Sequence, residues 1–201
     1  MPINKKSDTK QKIITSAKKL FTQYGYKGTS VRKIASDVGI RESALYNHFK
    51  NKEEIFMEIA KEIFSLPFAF EDKNVQELAT QGKPFLEEYT KQYKLISFDK
   101  DKKSMFNLLL MELLQDKSIR EQFISEFHNK NIKVLSGGFF VMMQNARIHS
   151  SDPMIIAYEF LSTLFYIRLQ VAILSFDDKS TDDLSKQFDK HVDFFWDAIK
   201  A

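Results

Sequence analysis

Between residues 41 and 52 the chain sets out Arg41, Ser43, Ala44, Tyr46, Asn47, His48, Lys50 and Lys52, with Glu42 as the one acid among them. This is a mixture of hydrogen-bond donors, one methyl and one ring. Such a face suits the major groove of double-stranded DNA, where Arg forks onto guanine, Asn onto adenine, and an Ala methyl touches thymine. Tyr46, His48, Lys50 and Lys52 are then placed for phosphates. The backbone amides of Thr29 and Ser30, and those of a helix starting at Lys52 to Glu54, add phosphate donors, because helix N-termini attract anions.

Two short helices joined by a sharp turn must position these groups. Val31, Ile34, Ala35 and Val38 recur at i, i+3, i+4 and i+7, and Leu45 and Phe49 follow at i, i+4. Thr29 or Ser30 can cap the first helix. Gly39 supplies the left-handed geometry that ends it, and Ile40 packs the turn. The second helix, expected from Glu42 to Phe49, is too short to be stable alone, so its outer face is its reason to exist. Before them, Thr9 to Tyr24 forms an amphipathic helix with Ile13, Ala17, Leu20, Phe21 and Tyr24 inward, ended by Gly25 and Gly28. Residues 1–8 form a polar, Lys-rich arm that could lie along a DNA backbone.

At Phe21, Gly25, Thr29, Ile34, Ala35, Gly39, Ala44, Leu45, Tyr46, His48, Phe49, Lys52 and Glu53 the chain resembles the tetracycline-repressor (TetR) family of bacterial regulators. The likeness covers about the first quarter closely; the remainder matches in length and helical character. It implies an all-α homodimer with a DNA-binding domain over residues 1–52 and an effector-binding and dimerisation domain over 53–201. A small, largely apolar or aromatic effector would release such a repressor from a palindromic operator with half-sites about one helical turn, or somewhat more, apart. Glu42 departs from a purely donor face: it repels phosphate and can accept from a cytosine amine.

Composition agrees with a basic head on a different kind of body. Residues 1–52 carry twelve Lys and Arg against three acids, a net +9, which leaves −6 for the rest of a chain whose total is +3. There are no cysteines, so neither disulfides nor thiolate chemistry is available. His48, His128, His149 and His191 are isolated, without metal spacing, and no Gly-rich phosphate loop follows a strand. No enzyme, metal or cofactor is expected, and the start lacks the apolar run of a signal peptide, as suits the cytoplasm. Met154 to Leu174 approaches the length of a membrane span, but Glu159, Arg168 and Gln170 interrupt it, so a buried helix is expected.

In the body, Ile55, Phe56, Ile59, Ala60 and Ile63 predict a connecting helix that ends before Pro67, and Phe85, Tyr89, Tyr93 and Ile96 predict another after the Gly82 break. Asp99 to Lys103 reads as a charged loop, and Met105 to Leu114 as a helix buried on most sides. Ile119 to Ile148 is a long helical tract in which Gly137-Gly138 either kinks the helix or admits a close neighbour. Asp152 caps and Pro153 opens the next helix, to about Phe176, and the last helix ends near Lys200. A dimer face is expected from Ala157, Leu161, Leu164, Ala172, Leu184, Phe188, His191, Val192, Phe195 and Ile199. Tyr89, Tyr93, Phe106, Glu112, Phe127, Phe139, Met142, Glu159, Thr163 and Tyr166 are the candidate effector-pocket residues. The polar stripe of Glu159, Ser162, Thr163, Tyr166 and Gln170 faces the interface, solvent or a pocket; spacing leaves the three open. A body that binds a protein instead of a small ligand is the competing reading.

Overall fold

A computed structural model describes residues 5–64 and 73–201. They form eleven α-helices: α1 (Lys5–Tyr24), α2 (Val31–Val38), α3 (Glu42–Tyr46), α4 (Lys52–Phe64), α5 (Lys73–Gln81), α6 (Lys83–Phe98), α7 (Lys100–Leu113), α8 (Lys117–Gln122), α9 (Asn129–Gln144), α10 (Pro153–Phe176) and α11 (Asp182–Ile199). A π-helical turn over Phe123–His128 joins α8 to α9. Among the described residues the sole β feature is an isolated bridge between Ile148 and Lys200.

The chain folds as two compact units, Met1–Phe64 with Ser104–Ile124, and Ser65–Lys103 with Ser125–Ala201. The boundary expected at residue 52 falls inside the first unit, because α4 packs on α1 and on α8. Its core joins Ile13, Ala17 and Leu20 to Ile34, Leu45, Phe49, Ile55 and Ile59, all buried. Three rings lock it: Phe21 meets Phe56 edge-on with centroids 5.7 Å apart, and Tyr26 lies 4.9 Å from Phe56 and 5.5 Å from Phe21.

In the second unit α10 packs against α9, α6 and α11. Gly138 lets α9 approach α6: a Cβ there would stand 2.3 Å from Cζ of Phe85. Of the two outcomes expected at Gly137-Gly138, the close neighbour is the one found. Burial of Asn131 is made tolerable by two bonds, since it accepts from the Tyr89 hydroxyl and donates to the Phe127 carbonyl. Arg168 is 1% exposed, with its guanidinium 5.7 Å over the Tyr93 ring. Pro153 opens α10, and the Asp152 carboxylate accepts from the amides of Met154 and Ile155.

Several boundaries differ from the periodicity. α1 begins at Lys5, so part of the expected arm is helical, while residues 1–4 and Pro67 lie outside the described residues. The expected loop at 99–103 is the first turn of α7, because only Asp99 breaks the helix and its carboxylate then accepts from the Lys102 amide. The long tract runs from Lys117 and stops at Gln144, where Ala146 takes a positive φ. Met111 and Leu114 stay exposed on and just after α7, which is therefore buried on one side only.

Candidate nucleic-acid interface

The turn between α2 and α3 is built by two residues. Ser30 sits extended (φ −103°, ψ 156°) and its hydroxyl accepts from the Lys33 amide at 3.1 Å, opening α2. Gly39 takes φ 76°, ψ 30°, and the Ile40 amide reaches back to the Ala35 carbonyl at 3.0 Å, closing it. α2 is held on α1 by Asp37, which accepts from Ser16 at 2.7 Å and pairs with Lys19 at 3.1 Å. Those two partners, Ser16 first, hold its carboxyl below the usual aspartate range.

α3 is anchored by Leu45, fully buried, and followed by Phe49, 2% exposed. Its helical hydrogen bonding ends at Tyr46, three residues before the Phe49 expected, and a tight turn carries His48 and Phe49 inward with both amides on the Leu45 carbonyl. Arg41, Glu42, Ser43, Tyr46, Asn47 and Lys50 are exposed together, while Ala44 and His48 are half-buried. Glu42 stands in the first turn of α3, among these exposed side chains.

Three expected phosphate contacts are instead committed inside the protein. Thr29 is 1% exposed, its hydroxyl donates to the carbonyls of Leu20 and Gly25, and its amide donates to Tyr26. The Lys52 ammonium donates to the carbonyls of Tyr26 at 2.8 Å and Thr29 at 3.0 Å and lies 4.1 Å over the Tyr26 ring. At the start of α4, Asn51 accepts from the Glu54 amide and Glu54 accepts from the Lys50 amide. That leaves fewer free donors there, and Glu53 and Glu54 would repel an anion. The sequence reading passed over Arg32 and Lys33 in the first turn of α2; Arg32 is exposed, and Lys33 rests over the Tyr24 ring. Their place beside Ser30 was the available signal.

Residues 13–59, which hold this whole arrangement, match the family described as bacterial regulatory proteins, tetR family. Over these residues the chain carries the tetR-family pattern. It is similar to the HTH-type transcriptional repressor AcnR of Corynebacterium diphtheriae, 36% identical over 53 residues, 26% of this chain and 28% of that protein. A second relative is the negative regulator of the biofilm operon icaADBC, IcaR, of Staphylococcus epidermidis: 41% identical over 56 residues, 28% of this chain and 30% of that protein. The chain thus spans about three tenths of the length of the curated relatives it matches first. Those relatives are named as transcriptional regulators, not as enzymes. The fold extends further: the SmeT–triclosan complex superposes with TM-score 0.74 at 15% identity, covering 96% of this chain and 92% of that one.

The ten residues expected to line a pocket are divided between the two units. Tyr89, Tyr93, Phe127, Phe139 and Met142 are buried in the second unit, where the Tyr93 ring lies 6.3 Å from Tyr89 and 6.5 Å from Phe127. Burial pushes the Tyr93 hydroxyl up to about 12, against the opposing pull of Arg168. Phe106 and Glu112 are buried and belong to the first unit. Glu159 and Tyr166 are exposed and Thr163 is half-buried.

The expected interface residues also need correction. Ala157, Leu161, Leu164, Ala172, Leu184, Phe188 and Val192 are buried within one chain, and buried atoms have no area left for a second copy. His191, Phe195 and Ile199 are half-buried; the Phe160 ring stacks 5.0 Å from His191, whose ring nitrogen meets the Phe160 carbonyl at 3.1 Å. Burial lowers the His191 pKa, partly offset by that carbonyl. The opposite side of α10 is the open one, with Ile155, Tyr158, Tyr166, Ile173 and Phe176 exposed beside Glu159 and Ser162. The polar stripe therefore runs along an outward face rather than lining a pocket.

Proposed function

We propose that this chain is a sequence-specific DNA-binding transcriptional regulator, a homodimeric repressor that a small effector releases from a palindromic operator. The observation that carries this reading is the α2-turn-α3 unit, which exposes Arg41, Glu42, Ser43, Tyr46 and Asn47 while Leu45 and Phe49 anchor it from behind. Arg41 and Asn47 read base edges, and Ser30, Arg32, Tyr46, Lys50 and the exposed edge of His48 meet the phosphates.

A homodimer is supported by the outward face of α10, an apolar row at helical spacing, with Phe194 of α11 75% exposed. A small-molecule effector is supported by the likeness to SmeT, whose structure is a complex with triclosan. The clustered rings around Tyr89, Tyr93, Phe127 and Phe160 suit an apolar or aromatic ligand. Its differential affinity for two shapes of the chain would set the switch. Cytoplasmic placement fits a protein that acts on DNA, and a helix that buries Arg168 is better read as protein core than as a membrane span.

Sedimentation of the purified protein with an operator-length duplex tests the assembly. Two chains per duplex are expected, and a single chain on DNA would count against the dimeric reading. A body that binds a protein partner would give the same stoichiometry but no small molecule that alters DNA affinity.

A further inference from the structure

Between α6 and α11, wholly within the second unit, lies an open groove of about 870 Å³, the size of a small-molecule site. Leu95, Phe98 and Val192 make it apolar, and Leu95 is 59% exposed. Thr90 also lines it, 2% exposed, and its hydroxyl has no hydrogen-bond partner among the described residues. The buried rings of Tyr89, Phe127 and Phe139 take no part in it.

Its charge is one-sided. Glu87, Asp99, Asp189 and Asp193 line the groove against Lys91 and Lys94. Lys94 is spent on Asp189 at 2.8 Å, and Lys91 pairs at 3.1 Å with Glu88, which does not line the groove. Lys83 bridges Asp193 at 2.7 Å and Glu87 at 3.5 Å, which neutralises one more carboxylate at most. The walls keep net negative charge on a chain whose total is positive.

We propose that this groove binds a small organic cation with a bulky apolar body. Burial of that body on Leu95, Phe98 and Val192 supplies the drive, while the exposed carboxylates, screened by water, supply the preference for positive charge. Phe98 adds a ring toward the cation. The site stands independently of DNA binding.

Tetraphenylphosphonium and tetraphenylborate are ions of the same shape and opposite charge, so calorimetry with the intact protein separates the two contributions. One phosphonium per chain is expected, with the borate at least about fivefold weaker, as one or two exposed charges allow. That ordering opposes the chain's net charge, which favours the anion. Asp189→Asn with Asp193→Asn should weaken phosphonium about fivefold, and amide shifts on binding should map to Thr90, Leu95 and Phe98. If the double variant melts early, Leu95→Ser, at an exposed position, should produce the same loss. Equal affinity for the two ions, no binding at about 1 mM, or shifts centred on Tyr89 and Phe139 would each overturn the proposal.

Discussion

Replacing Lys52 by Met separates two roles that the same side chain could play. In the structure its ammonium holds the carbonyls of Tyr26 and Thr29 and covers the Tyr26 ring, tying the loop after α1 to the start of α4. Two bonds from a charged donor contribute about 1.5–3 kcal/mol each when well made, and the ring contact about 0.5–1 kcal/mol. Lys52 is half-buried, so water partly replaces what is lost, and a net destabilisation of about 2–3 kcal/mol is expected. Urea unfolding measures it as a lower midpoint at an unchanged slope. The same variant should leave the salt dependence of DNA binding unchanged, because the ammonium is committed to those two carbonyls. Lys50→Met, at an exposed position, should instead reduce the slope of log K against log salt by about 0.9 with stability unchanged. A Lys52→Met protein with full stability and a reduced salt slope would refute the clamp and restore the phosphate contact.

Three further outcomes follow from the packing. Gly138→Ala puts a methyl into the Phe85 ring and should cost about 1–3 kcal/mol of stability in thermal or urea unfolding. Ser30→Ala removes the α2 cap and should cost about 1 kcal/mol while weakening DNA binding, whereas Ser30→Asp keeps the cap and should restore the stability. For His191, burial depresses the folded pKa below the ordinary 6.5, so under that pH the unfolded chain binds a proton that the folded chain does not. Stability should then decline as pH falls below about 6.5, and His191→Phe, which keeps a ring beside Phe160, should flatten that decline in unfolding measured at several pH values.

The head was legible in the sequence because local rules agree there. Ser30 caps, Gly39 stops, and Ile34, Leu45 and Phe49 face inward at helical spacing, so each residue points to the same turn. Spacing could not say where a long side chain ends. Lys52 lies next to α3 in sequence, yet its ammonium ends on the carbonyls of Tyr26 and Thr29, which only the fold reveals. The body was legible as helices but not as faces. α10 is apolar all round, so periodicity cannot choose between the side holding Ala157 and Leu164 and the side holding Ile155 and Ile173. The π-helical turn at Phe123–His128 also shifts the phase between α8 and α9, which defeats a constant 3.6-residue reading of that tract.

Selection from a pool of random duplexes at a fixed salt concentration, followed by sequencing of the bound fraction, tests the central claim most directly. A palindromic consensus whose half-sites lie about one helical turn apart is expected, and it should be lost in Arg41→Ala with Asn47→Ala. Binding that is salt-sensitive but blind to sequence would contradict a regulator that reads an operator and leave the basic head as a general DNA tether.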